Sequence, residues 1–166
     1  GINFGFLPIY VESLGASKSE VGFITSIGML STVFGTLVSF YIQKKLSPSI
    51  CLFISCLLIG GSLIIFSFSE NLLLILVIQI FNGFGRGVMN TILITLTLIY
   101  ADNNIKATTQ GVYQALYSIG MLLGPAVSGI LAQKYSLDYV FIFSTIIIGF
   151  GGVLSIFKPF NKKNDL

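Results

Sequence analysis

Apolar residues in this chain run in unbroken blocks, and nearly every charge sits in the short gaps between them. Several blocks have the length that crosses the hydrocarbon core of a bilayer as a helix, about 20 residues. Charged residues make up 9% of the sequence and hydrophobic ones 54%. A soluble domain carries about 25% charged residues, so a water-facing surface cannot be assembled here. Six blocks can be drawn. They run from Gly1 to about Leu14, then Val21–Ile42, Ile50–Phe68, Leu72–Tyr100, about Thr109–Ala132, and Tyr139–Phe157. Hydrocarbon offers no partner for backbone N–H and C=O groups, so spanning segments are helices or closed barrels. Continuous apolar runs, without two-residue alternation, exclude the barrel. The expected fold class is therefore an all-α membrane protein, a bundle of six transmembrane helices over residues 1–157. A short cytoplasmic tail is expected over 158–166.

The first block is too short for a full span, and Gly1-Ile2-Asn3 carries neither an initiator Met nor a basic leader. The expectation is a fragment with a truncated first helix. Connections are short, so sequential helices are expected to run antiparallel. Ser17-Lys18-Ser19-Glu20 has the capping-box pattern, and Asn71 is placed to cap the fourth block. Six of the nine basic residues (Lys44, Lys45, Lys106, Lys158, Lys162, Lys163) fall in the second loop, fourth loop and tail. Only Lys18 and Lys134 fall in the other loops. The positive-inside rule then puts the tail in the cytoplasm of a multi-pass protein of the cell (inner) membrane.

Several function classes lose support at once. The net charge of +3 is accounted for by these loops and does not point to nucleic acid. There is no His, no acidic cluster and no ligand spacing, so no metal, cofactor or enzymatic centre is expected. Cys51 and Cys56 share one apolar block and read as small buried residues. The expected partners are membrane lipid and a small-molecule substrate.

Arg86 is the one charge deep inside a block. A charge at mid-bilayer costs at least about 2.5–3.5 kcal/mol, so it should face a partner or a wet cavity. Gln79, Asn82, Arg86 and Asn90 follow at helical spacing and share one stripe. The stripe reads either as a substrate path or as interhelical hydrogen bonding, and the cost of the arginine favours the first. Gly83, Gly85 and Gly87 beside it read as sites of close helix approach. In the fifth block Gln110, Tyr113, Gln114 and Tyr117 form a polar and aromatic stripe that reads as a cavity wall. For Tyr113 and Tyr117 the alternative is interfacial anchoring. Further along, Gly111, Gly120, Gly124, Pro125, Ser128 and Gly129 give a smooth helix face with a proline kink. Such a face can rock against a neighbour.

Three stretches carry a resemblance. Leu7-Pro8-Ile9-Tyr10, Leu14-Gly15-Ala16-Ser17 and Val21-Gly22 look like the end of one helix and the start of the next in a major facilitator half. Gln79-x-x-Asn82-Gly83-x-Gly85-Arg86-Gly87 is similar to the family's fourth-helix pattern R-x-x-q-G-x-g-a-a, with Gln79 where that pattern has Arg. Gly111-x8-Gly120-x3-Gly124-Pro125-x2-Ser128-Gly129 is similar to the exporter-associated fifth-helix pattern, departing at Ser128. The chain thus resembles half of a twelve-helix major facilitator superfamily transporter. The loop Ser39 to Pro48 keeps basic character but lacks the acid typical of the N-terminal half. That loop and the short Lys-rich tail favour the C-terminal half, while the exporter pattern points the other way.

The resemblance implies an ion-coupled exporter of drugs or metabolites that works by alternating access with a missing N-terminal half. Arg86, Gln79, Asn82, Asn90, Gln110, Tyr113, Gln114 and Tyr117 would line its cavity. The glycines, Pro125 and Ser128 would serve packing and conformational change. An uptake permease of the same family, or a non-transporting remnant, are the alternatives. No block has a central Asp or Glu, so a proton-carrying acid is expected in the missing half.

Overall fold

A computed structural model describes the chain from residue 2 to residue 157, with side chains from residue 5 onward. The expected tail, 158–166, lies outside the described residues. Six helices follow one another: α1 Ile2–Ser13, α2 Lys18–Lys45, α3 Pro48–Phe68, α4 Leu72–Ile99, α5 Lys106–Lys134 and α6 Leu137–Phe157. There is no strand among the described residues. Five of these helices, α2 to α6, are long and apolar enough to cross a membrane, whereas the described α1 has 12 residues. The molecule is a multi-pass integral membrane protein. Helices α2 and α4 have 28 residues each. At 1.5 Å per residue they reach about 42 Å, past the ~30 Å hydrocarbon core and into the headgroups.

The helix ends are set by local chemistry. Helix α1 closes in a Schellman motif, with Gly15 N–H donating to Glu12 O at 3.0 Å and Ala16 N–H to Val11 O at 3.3 Å. Gly15 sits at φ 89°, a left-handed conformation that a Cβ would strain. Val11 and Ala16 then meet in the core, the hydrophobic contact that accompanies this motif. Helix α2 starts in a complete capping box. Ser17 Oγ accepts from Glu20 N–H, and Glu20 Oε2 accepts from Ser17 N–H at 2.8 Å. Pro48 occupies the first turn of α3, where its missing N–H costs nothing. Asn71 Oδ1 accepts from the Leu73 and Leu74 amides at the start of α4.

The most extensive packing joins α2 to α4, then α3 to α6, then α3 to α4. The sequential neighbours α2 and α3 barely touch. The bundle is therefore a row, α2–α4–α3–α6. Helix α1 lies against α2, α5 and α6, and α5 lies against α1, α4 and α6. One apolar cluster gathers Leu7, Tyr10, Val11, Ile24, Phe66 and Phe141 near the α1–α2, α3–α4 and α5–α6 turns. A second joins Cys51 and Leu52 of α3 to Val88, Ile92 and Leu96 of α4, at the opposite end.

Lipid tails are as apolar as leucine, so association within a bilayer leans on close packing and interhelical hydrogen bonds. Both are present. Ser31 of α2 donates to the Ile80 carbonyl of α4. Thr145 of α6 lies 3.3 Å from Gly60 O of α3, and Tyr10 of α1 donates to Ser69 O at 3.1 Å.

Candidate functional site

Helix α4 is held from two sides by its glycines. A Cβ on Gly83 would overlap the Gly28 carbonyl and lie 2.9 Å from Ser31 Cβ. One on Gly87 would overlap the Thr32 carbonyl and lie 2.8 Å from Thr36 N. Both glycines face α2, whose own Gly28 and Gly35 lie against Gln79 and the Phe84 backbone. Gly85 faces the other way, with Ser55, Leu58 and Ile59 of α3 at 3.1–3.2 Å from its virtual Cβ. Gly28 and Gly35 were not singled out by sequence reasoning. Their seven-residue spacing, with Ser31 and Thr32 between them, was the available signal.

This grip fixes the polar stripe of α4. The stripe divides rather than facing one way. Gln79 is 3% exposed and packs its amide against Gly28, with its Oε1 buried and lacking a hydrogen-bond partner. Asn82 is fully buried, Arg86 is half-buried, and Asn90 is exposed. The gradient runs from a dry contact with α2 to a guanidinium and an amide within reach of the bundle's open side.

Helix α5 packs beside α4. Tyr113 and Tyr117, one turn apart, stack with ring centroids 6.3 Å apart and planes 23° from parallel. The Tyr113 hydroxyl is buried and has no hydrogen-bond partner. One more polar contact joins the two helices: Thr97 Oγ1 lies 3.0 Å from Gln110 Oε1. Gln114 is exposed on α5. The structure thus stacks Tyr113 on Tyr117 and ties Gln110 to α4 through Thr97. Gln79 belongs to the α2 contact. Thr97 was not singled out by the sequence reading.

The remaining α5 residues show an open face. A Cβ at Gly111, Gly120 or Gly124 would meet nothing within 4 Å, and Gly129 would meet only Phe6 at 3.9 Å. Helix α5 continues through Pro125, which is half-buried. Ser128, where the fifth-helix pattern has glycine, is 1% exposed and is the one buried residue of α5. Among the described residues no three His, Cys, Asp or Glu side chains come together in a way that would hold a metal ion.

A multi-pass helical membrane protein with one internal cation among its described residues, set between amides on α4, and with a stacked tyrosine pair on the neighbouring α5, is the class these features define. Residues 1–165 match the Major Facilitator Superfamily, and the chain belongs to that family. It is 26% identical over 167 residues to an uncharacterized MFS-type transporter of Methanocaldococcus jannaschii, covering 96% of this chain and 40% of that protein. It is 23% identical over 133 residues to the quinolone resistance protein NorA of Staphylococcus aureus, covering 80% of this chain and 34% of that protein. The chain thus spans well under half the length of these relatives. The all-helical bundle is consistent with half of a major facilitator fold.

Proposed function

We propose that the chain forms the C-terminal six-helix half of a secondary transporter that moves a small solute across the membrane by alternating access, in the export direction and coupled to an ion. The observation that carries this reading is the placement of Arg86. A charge this costly in lipid is retained where it faces a partner or a wet path, and here it stands half-buried midway along α4, one turn from exposed Asn90. Arg86, Gln79, Asn82, Asn90, Gln110, Tyr113, Gln114 and Tyr117 line the solute path in this reading. The open small-residue face at Gly111, Gly120, Gly124 and Gly129 packs against the N-terminal half and slides on it. Export is supported by the fifth-helix pattern and by the word resistance in the name of one relative. The tail faces the cytoplasm by its lysines.

Loops and helix ends hold this chain's acids, so a coupling proton rides on a carboxylate of the other half. The test is flux through the protein at the full length its gene encodes, reconstituted in liposomes, with Arg86→Ala alongside. Solute flux that depends on an ion gradient and falls at least tenfold in the variant is the expected result. Wild-type flux by Arg86→Ala removes Arg86 from the path, and absence of gradient-driven flux for any solute sinks the transport reading.

A further inference from the structure

The turn between α3 and α4 sets a carboxylate over an apolar groove. We propose that this groove binds a phospholipid with a primary amine headgroup, its ammonium on Glu70 and an acyl chain along α3 and α4. The site is separate from the polar stripe of α4 and stands whether or not the chain moves a solute.

The groove is the first support. It has a volume of about 550 Å³ and is lined by Ile64, Ile65 and Phe68 of α3, Leu74 of α4, and the Ser69–Asn71 turn. Its apolar members are 38–78% exposed. Both helices are long and apolar enough to cross a membrane, so the turn that joins them stands at headgroup level and the wall below it meets acyl chains. The occupant is therefore a lipid.

Charge decides which lipid. The Glu70 side chain takes no hydrogen bond or ion pair from a described residue. Its end of the bundle holds Glu12, Glu20, Glu70 and Asp138 against Lys18 and Lys134, four acids to two bases. Among the described residues the opposite end holds Lys44, Lys45 and Lys106 against Asp102. An anionic headgroup is thus disfavoured at Glu70 and a cationic one favoured. A primary ammonium offers three N–H donors, whereas the trimethylammonium of choline offers none.

Ser69 is the third support. It lines the same groove and is 6% exposed, and its Oγ is buried without a hydrogen-bond partner among the described residues. Buried polar atoms are nearly always satisfied, and an exception calls for an explanation. The turn is held on both sides. Tyr10 donates to Ser69 O at 3.1 Å, and Asn71 caps α4. Adjacent Cα atoms stand about 3.8 Å apart, a span that the two-carbon link between ammonium and phosphate covers. A phosphate oxygen would then accept from Ser69 while the amine sits on Glu70. A second groove, of about 440 Å³ on the α2 side of α4, pairs Glu20 with apolar residues. There Oε2 already accepts from Ser17 N–H and Oγ, which leaves Glu70 as the acid open to a ligand.

The test is photolabelling of the full-length protein in phosphatidylcholine nanodiscs. Tracers of phosphatidylethanolamine, phosphatidylcholine and phosphatidylglycerol carry one diazirine chain in common, and adducts on residues 64–74 are read by peptide mass spectrometry. The ethanolamine tracer should label this stretch about two- to fivefold more than the choline tracer, the scale of an exposed ion pair. The glycerol tracer should label it least. Glu70→Gln, at an exposed turn position, should bring the ethanolamine-to-choline ratio to one there and leave labelling of the other helices unchanged. Ser69→Ala removes a contact to the phosphate that all three share, so it should lower all three alike and keep the ratio. Equal labelling by the ethanolamine and choline tracers in the unaltered protein overturns the proposal. So does a preference for the glycerol tracer, or an ethanolamine preference that survives Glu70→Gln.

Discussion

Gly87→Ala is the sharpest test of how the bundle is held. The added methyl points at α2 and would lie 2.8 Å from Thr36 N and 3.1 Å from Gly35 C, while overlapping the Thr32 carbonyl. Ordinary van der Waals contact begins at 3.4 Å, and every one of these neighbours is backbone, which cannot rotate away. Helix α2 must therefore retreat from α4 by more than half an ångström along the length of their contact. A gap of about 0.5–1 Å already forfeits a quarter to a half of the dispersion attraction between facing atoms. Overpacking of this kind costs about 1–3 kcal/mol. The better helix propensity of alanine returns at most about 1 kcal/mol, and less in a membrane where the unfolded helix persists. The net loss is expected at about 1–2 kcal/mol, read as a shifted midpoint in a mixed-micelle denaturant titration. Gly61→Ala and Gly151→Ala, whose methyls meet open space, serve as controls and should be neutral or slightly stabilising. A Gly87→Ala protein as stable as these controls would refute the claim that close backbone approach holds α2 on α4.

Other substitutions probe other parts of the packing. Tyr10→Phe removes the hydroxyl that donates to Ser69 O but keeps the edge-on contact with Phe141, whose centroid is 5.2 Å away. It should lower stability by about 0.5–1.5 kcal/mol in the same titration. Cys51 is 2% exposed, whereas half-buried Cys56 lines a groove of about 210 Å³ between α3 and α6 with Gly60, Gly149 and Thr145. A membrane-permeant maleimide should therefore label Cys56 well before Cys51, as peptide mass spectrometry would show. Gly120→Leu adds a side chain into open space, so the stability of this bundle should stay within about 0.5 kcal/mol of the unaltered protein. If that face meets the rest of the transporter, flux through the full-length protein should collapse all the same.

Helix existence was legible because lipid leaves a spanning segment no alternative to internal hydrogen bonding. The ends were legible only in part. Ser17–Glu20 and Asn71 act as the caps their patterns indicate, yet α2 begins at Lys18 rather than Val21 and α5 at Lys106 rather than Thr109. Polar first turns extend a helix beyond its apolar block into the headgroup region, where hydropathy no longer marks the boundary. Pairing was not legible. Short loops fix chain order, but α2 packs on α4 and α3 on α6, because small residues on those faces allow close approach. The same limit applied at the site. Spacing put Gln79, Asn82, Arg86 and Asn90 on one stripe, but it could not tell that the edge holding Gln79 meets Gly28 while Arg86 is half-buried and Asn90 exposed. A stripe several residues wide spans more than one neighbour, and only the third dimension assigns them.

The two sets of glycines explain why the wall has one firm side and one adjustable side. On α4, Gly83 and Gly87 let backbone touch backbone, and Gly85 admits α3 from the opposite face. Arg86 stands between these contacts, so its Cα cannot shift without separating two of the closest helix pairs in the molecule. On α5 the glycines meet open space, and Ser128 alone is buried. Tyr113 and Tyr117 therefore ride on a helix with little packing to lose, tied to α4 by the Thr97–Gln110 contact. Interfaces with discrete packing resist small displacement, and loosely packed elements open at lower cost. Change in the shape of the bundle is thus cheapest as movement of α5 over a stationary α4, carrying the stacked tyrosines with it while the charge on α4 stays in place.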